Sequence, residues 1–220
     1  MPAAERLEQV PFEPGARLPE AADVWWRTPV DTRRLARIEW ISAAYTAVYV
    51  APFFVLGALL LAVEPMLVPV SFLCLVHAWV IPELFAHRGA RVLAFEPGAE
   101  PDRLGKGLLA DLLDRRPAAI EDATGAVVER GQLGVWVLAE RGALLVRPGG
   151  RRVHAFCVGV KDGELGRCDR IAHLLLALRQ DETGFATVAN HAFAGAAWRI
   201  RRRLPKRRRP ALDAACALSR

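Results

Sequence analysis

Residues 55–70 read VLGALLLAVEPMLVPV, apolar throughout except for Glu64, which Pro65 follows. The run continues on both sides: 24 uncharged residues, 40–63, separate Glu39 from Glu64, and 18 more, 65–82, separate Glu64 from Glu83. As one helix, residues 40–82 would extend about 64 Å at 1.5 Å per residue, twice the roughly 30 Å of a bilayer's hydrocarbon core. Divided at Glu64 and Pro65 they give helices of about 36 and 27 Å, each sufficient for one crossing. A carboxylate costs roughly 2.5–3.5 kcal/mol at the centre of a membrane helix but little at its edge, and proline is tolerated as a first helical residue. The Glu64–Pro65 pair therefore reads as the polar tip of a helical hairpin.

The competing reading is a soluble bundle. It requires a polar stripe at the 3.6-residue period, and neither segment has one. Arg27, Arg33, Arg34 and Arg37 precede the first span, Arg88 and Arg91 follow the second, and the connection holds no basic residue. By the positive-inside rule both termini are expected in the cytoplasm. Of 30 basic residues 27 are arginine, in a chain rich in Ala, Leu, Gly and Pro, a GC-rich bacterial bias, so the expected location is a bacterial cell (inner) membrane. The first 39 residues carry 13 charges and no apolar core, which argues against a cleaved signal peptide. Cys74, Cys157, Cys168 and Cys216 show no close pairing and read as free thiols of a reducing compartment.

Within the spans, Ala43, Ala47 and Ala51 recur every four residues, a face that lets another helix approach closely. His77 is the one imidazole of the spans and an intramembrane polar residue. At the depth of Pro52, it is expected to donate to the Val48 carbonyl that Pro52 leaves without a partner, or to the Tyr49 hydroxyl.

The remainder divides into a cytoplasmic N-terminal segment (1–39), spans at 40–63 and 66–86 joined by the turn 64–65, a linker with an amphipathic helix (87–119), an α+β domain (120–204) and a basic tail (205–220). In the linker, LAFEPGAEPD reads as extended and RLGKGLLADLLDRR as a helix that Pro117 ends. Two ERG triplets and a PGG separate apolar runs near 126–129, 133–139, 143–147 and 152–160, the pattern of a three- to four-stranded antiparallel meander. Two helices follow. CDRIAHLLLALRQ places Ile171, Leu174, Leu175 and Leu178 on one face, and a second runs through FATVANHAFAGAAWRIRRRL to Pro205. The fold class is thus a membrane α-helical hairpin plus a small α+β domain.

Chemistry is constrained chiefly by absences. Serine occurs at 42, 71 and 219 alone, which excludes a serine hydrolase in the domain. RLGKG lacks the spacing and the Ser or Thr of a phosphate loop, so no nucleotide cofactor is expected. His154, Cys157, Cys168 and His173 suggest a metal set, but His154 and Cys157 are three apart on an expected strand and face opposite ways, so no metal site is expected. Asp169 and His173, four apart on one helical face, and His191 are the weak catalytic candidates. The C-terminal run offers Trp198, Arg199, Arg201, Arg202, Arg203, Lys206, Arg207, Arg208 and Arg209 for contact with anionic lipid head groups, where each basic residue contributes about 1 kcal/mol. The same run suits nucleic-acid phosphates less specifically. The leading functional expectation is a membrane-tethered binding or regulatory module, with a protein partner as a further ligand class. The alternatives are a membrane-associated enzyme using histidine and aspartate, and a small transporter or channel subunit.

Overall fold

The computed structural model describes residues 17–94, 103–113, 115–158 and 166–220. Two long helices form the hairpin. Helix α1 spans Thr32–Val63, opened by Asp31, whose carboxylate accepts from the Arg34 N–H at 2.7 Å. It ends at Glu64, where the backbone turns extended. Pro65–Leu67 form a tight 3-10 turn, with a Glu64 carboxylate oxygen accepting from the Met66 N–H, and helix α2 runs Val68–Ala90. Tyr45 meets Phe85 and Phe53 stacks on His77, ring centroids 6.0 and 5.4 Å apart, so eight residues up α1 correspond to eight back along α2. The helices close at Gly57, where an added Cβ would stand 3.4 Å from the Ser71 carbonyl oxygen and 3.5 Å from Cys74. Ala43, Ala47 and Ala51 are exposed instead.

His77 keeps the expected depth but not the expected partners. Its Nδ1–H donates to the Leu73 carbonyl, 2.8 Å away and one turn back on its own helix, which leaves the imidazole on the outer surface of the hairpin.

Five strands form one antiparallel meander, in spatial order β1 (Val127–Arg130), β2 (Val135–Ala139), β3 (Gly142–Val146), β4 (Arg152–Cys157) and β5 (Asn190–Ala196). Helices cover both faces. One carries Trp136, Leu138, Leu145 and Phe156 and lies under α5 (Arg167–Gln180) and α6 (Glu182–Val188), with α3 (Arg103–Leu112) packed on α5. The other carries Val137, Leu144, Val146 and Val153 and lies under the end of α2, α7 (Ala197–Arg203) and α8 (Arg209–Leu218). A sheet with no solvated face has no use for alternation, which is why β2 and β3 read VWVLA and GALLV and are buried at every position.

Beyond His77, the structure departs from the sequence reading in three places. The meander has five strands, because residues 190–196 pair with β4 instead of continuing a helix. Alanine-rich NHAFAGA has helical propensity, but cross-strand pairing and packing decide strand positions, and such terms are invisible locally. Helix α4 (Arg115–Thr124) follows α3, so Pro117 sits in the first turn of a helix, where its missing N–H costs nothing, and does not end one. The segment expected as a tail is folded: α8 buries Ala211, Leu212 and Ala215 against the sheet. Most of LAFEPGAEPD and the end of the fourth expected strand lie outside the described residues.

Arg208 and Glu140 are both fully buried and bonded at 2.7 Å, and Arg208 also donates to the Gly125 carbonyl. Removing one member of a buried pair strands the other charge, at about 3–5 kcal/mol. Arg208→Ala should therefore lower domain stability by about that amount in denaturant titrations of the detergent-solubilised protein. Arg201→Ala, which breaks an exposed pair with Asp213, should leave the unfolding curve in place.

Candidate functional site

Strand β5 is one edge of the sheet, and the two legs of the hairpin meet it on opposite faces. The first turns of α1 bury Leu35 in the cluster that contains Phe156. On the other face, the end of α2 touches Phe193 and Ile200, each 2.8 Å from where a Cβ on Gly89 would stand.

A hydrogen-bonded chain of side chains crosses this junction. His154, fully buried on β4, has Nε2 3.0 Å from Glu39 Oε1, and its Nδ1 lies 3.1 Å from Nε2 of His191 on β5. Arg147, at the end of β3, stands 3.6 Å from the same Glu39 oxygen. A bulge makes the arrangement. Ala155 pairs with Phe193 but Phe156 pairs with His191, so Ala192 is the extra residue. Without it His191 would oppose Cys157 and face away from His154, since a one-residue slip exchanges the faces of a strand.

The proton positions follow from acceptor chemistry. An ionised carboxylate only accepts, so His154 Nε2–H donates to Glu39. The neutral His154 ring then has Nδ1 as acceptor, and His191 Nε2–H donates to it. The His154 bond holds the Glu39 carboxyl below its usual range against the opposing effect of burial, with Arg147 and Arg152 adding to the lowering. Burial pulls His154 below the ordinary imidazole range, and its bond to Glu39 only partly offsets this. His191 is pushed down to about 4, first by burial and then by the charges of His154 and Arg34. Near neutrality both rings are neutral and Glu39 is charged.

This chain can hold and relay a proton, but its geometry offers nothing further. His154 spends both nitrogens on neighbours, and among the described residues no three His, Cys, Asp or Glu side chains converge on a point fit for a metal ion. The other catalytic candidates stand apart from it. Asp169 packs on α3, 2.6 Å from where a Gly105 Cβ would be, and His173 is exposed on α5. Asn190, the neighbour of His191 in sequence, accepts from Arg27 at 2.9 Å. Two cavities, about 1120 and 320 Å³, include none of Glu39, His154, Asp169, His173 and His191 in their walls. Three charged groups in the walls of the larger are committed to the fold. Asp181 caps α6 through the Gly184 N–H; Glu182 accepts from the Leu133 N–H and Trp136 Nε1–H; Arg27 donates to the carbonyls of Thr187, Val188 and Ala189.

The basic run is likewise divided. Arg201 pairs with Asp213, Arg203 makes two bonds to one oxygen of Glu83, Arg207 donates to the Ala123 carbonyl, Arg209 to those of Leu204 and Arg202, and Arg208 is buried. Trp198 is exposed, with the Arg199 and Arg202 guanidinium carbons 5.0 and 5.9 Å from its ring centroid. Lys206 is exposed. No protein-family model, curated protein or solved structure matches the chain.

The sequence singled out His191 but set His154 aside with the rejected metal set and read Glu39 only as a boundary charge. The one available signal was that Glu39 directly abuts the apolar run; its partner lies 115 residues away.

The shifts fix the sign of the pH response. The unfolded chain binds protons at its imidazoles below about 6.5, whereas folded His191 refuses one until about 4, so stability is lost as pH falls through that window. Glu39, lowered, adds a loss below the ordinary carboxylate range. The thermal midpoint should fall from pH 6.5 to 4, with a slope of up to about 1.4 kcal/mol per pH unit for each such imidazole. His191→Gln should flatten this slope; an unchanged slope would remove His191 as its source.

Proposed function

We propose that the chain is a two-span protein of a bacterial cell membrane, with both termini cytoplasmic, whose α+β domain is a binding or regulatory module. The observation that carries this is the exposure of the hairpin. Of the 24 large apolar side chains exposed among the described residues, 19 lie between Trp40 and Leu84. Each is worth roughly 1.5–3 kcal/mol on leaving water, and soluble proteins rarely expose such a contiguous surface. The charged groups of both helices gather at the domain end, with Glu64 alone at the tip, as the positive-inside reading requires.

An enzyme needs a concave site that gathers free polar groups. Asp169, His173, Asn190 and His191 have separate surroundings, and this favours the module over the catalytic alternative. A protein partner of the domain belongs to the same proposal.

A second reading, a subunit of an oligomeric channel or transporter, is favoured by His77. Its Nδ1–H is taken by Leu73, so an acceptor nitrogen faces outward near mid-span, where an unpaired polar atom is costly.

Reporter fusions test the hairpin. A reporter inserted at Glu64 should read extracytoplasmic and one at the C-terminus cytoplasmic; cytoplasmic signals from both would overturn the two-span assignment. Cross-linking in native membranes separates the module from the subunit. Monomers in wild type and in His77→Leu support the module, whereas oligomers lost in His77→Leu would establish the subunit.

A further inference from the structure

We infer that α7 is a head-group-binding helix: Trp198, Arg199 and Arg202 form a site for an anionic phospholipid on the cytoplasmic leaflet. The inference rests on the two-span reading and concerns the partner of that same surface.

Depth carries the first part. The register of the hairpin sets Trp40 level with Ala90, 24 residues from Glu64 and so about 36 Å from the tip. That lies just beyond a hydrocarbon layer of about 30 Å, in the head-group zone. Helix α7 runs antiparallel to α2, with Ile200 against Gly89 and Arg203 bonded to Glu83 at 2.7 Å. Glu83 stands about 26 Å from the tip, at the inner boundary of the hydrocarbon, where Arg203 neutralises it. Trp198 precedes Ile200 by two residues, about 3 Å along the axis, and is therefore level with Trp40 to within a turn. The helix lies in the interfacial layer and does not trail into the cytoplasm.

Charge carries the second part. Arg201 and Arg203 are held by Asp213 and Glu83, but among the described residues neither Arg199 nor Arg202 has a carboxylate partner. Residues 198 and 202 are one turn apart and share a face. Both guanidinium carbons lie over the Trp198 ring, a contact that leaves their N–H groups for acceptors. An indole at the interface beside two unpaired guanidiniums, continuous with an apolar hairpin, suits a lipid phosphodiester: the ring enters the acyl boundary and the N–H groups take phosphate oxygens. Nucleic acid would meet the same cations but has no use for the depth.

The test uses the full chain reconstituted in phosphatidylcholine vesicles containing a minor fraction of either brominated phosphatidylglycerol or brominated phosphatidylcholine. The Trp198 signal is the fluorescence of wild type minus that of Trp198→Phe. Brominated phosphatidylglycerol should quench it more than brominated phosphatidylcholine at equal fraction. R199Q/R202Q should reduce this preference roughly 25-fold, from about 1 kcal/mol per basic residue; R201Q should keep it. Equal quenching in wild type, or an unchanged preference in R199Q/R202Q, would overturn the inference. So would displacement by duplex DNA or by inorganic phosphate at matched phosphate concentration, which would make the lipid assignment wrong. Alkaline carbonate extraction separates the failures. Protein that stays in the pellet without lipid preference loses only this inference, and protein released to the supernatant loses the two-span reading as well.

Discussion

Everything in this structure depends on β5 being held between the two legs of the hairpin. A sheet edge presents unpaired backbone groups and must be covered, twisted away or charged. Here the base of α1 lies on one face of the edge strand and the end of α2 on the other, and the strand cannot shift without opening both contacts. The bulge at Ala192 follows from this arrangement. One face must offer His191 toward α1 and the other must offer Phe193 to Gly89, two residues apart in sequence, and only an extra residue allows both.

Each leg carries a carboxylate at its domain end, and each carboxylate is met by a base from the domain. Glu39 takes His154 and Arg147; Glu83, nearly buried, takes Arg203. A largely buried carboxylate without a partner costs several kcal/mol, so these pairs make it expensive to separate the legs from the sheet even where their net contribution is small. The arginines illustrate how position decides the role of one residue type. Arg208 is inside the domain, Arg203 and Arg147 fasten the hairpin, Arg27 caps α6 through three carbonyls, and Arg199 and Arg202 lie over the Trp198 ring.

The hairpin was legible in the sequence because length, hydropathy and one Glu-Pro pair are all local features. The meander and α5 were legible because turn residues and a 3.6-residue period recur within a dozen positions, and Ile171, Leu174, Leu175 and Leu178 are all buried. What sequence reading missed was fixed at a distance. β5 is a strand because β4 lies beside it, and α8 is ordered because the far face of the sheet needs a cover. His154 matters because Glu39 arrives from 115 residues away, and no local pattern announces that. His77 shows the limit in a simpler form, since its depth followed from counting residues but its partner depended on which way the ring pointed.

A domain fastened at two carboxylates on opposite faces of one strand is coupled to both legs of the hairpin. A ligand that pulls on α7 pulls on Arg203, and thereby on Glu83 and the end of α2; movement at the base of α1 is felt at His154 and, through the bulge, at His191. Ligand binding shifts such a system only by its differential affinity for two positions of the whole unit. On the two-span reading proposed above, the position of this unit relative to the membrane is its output.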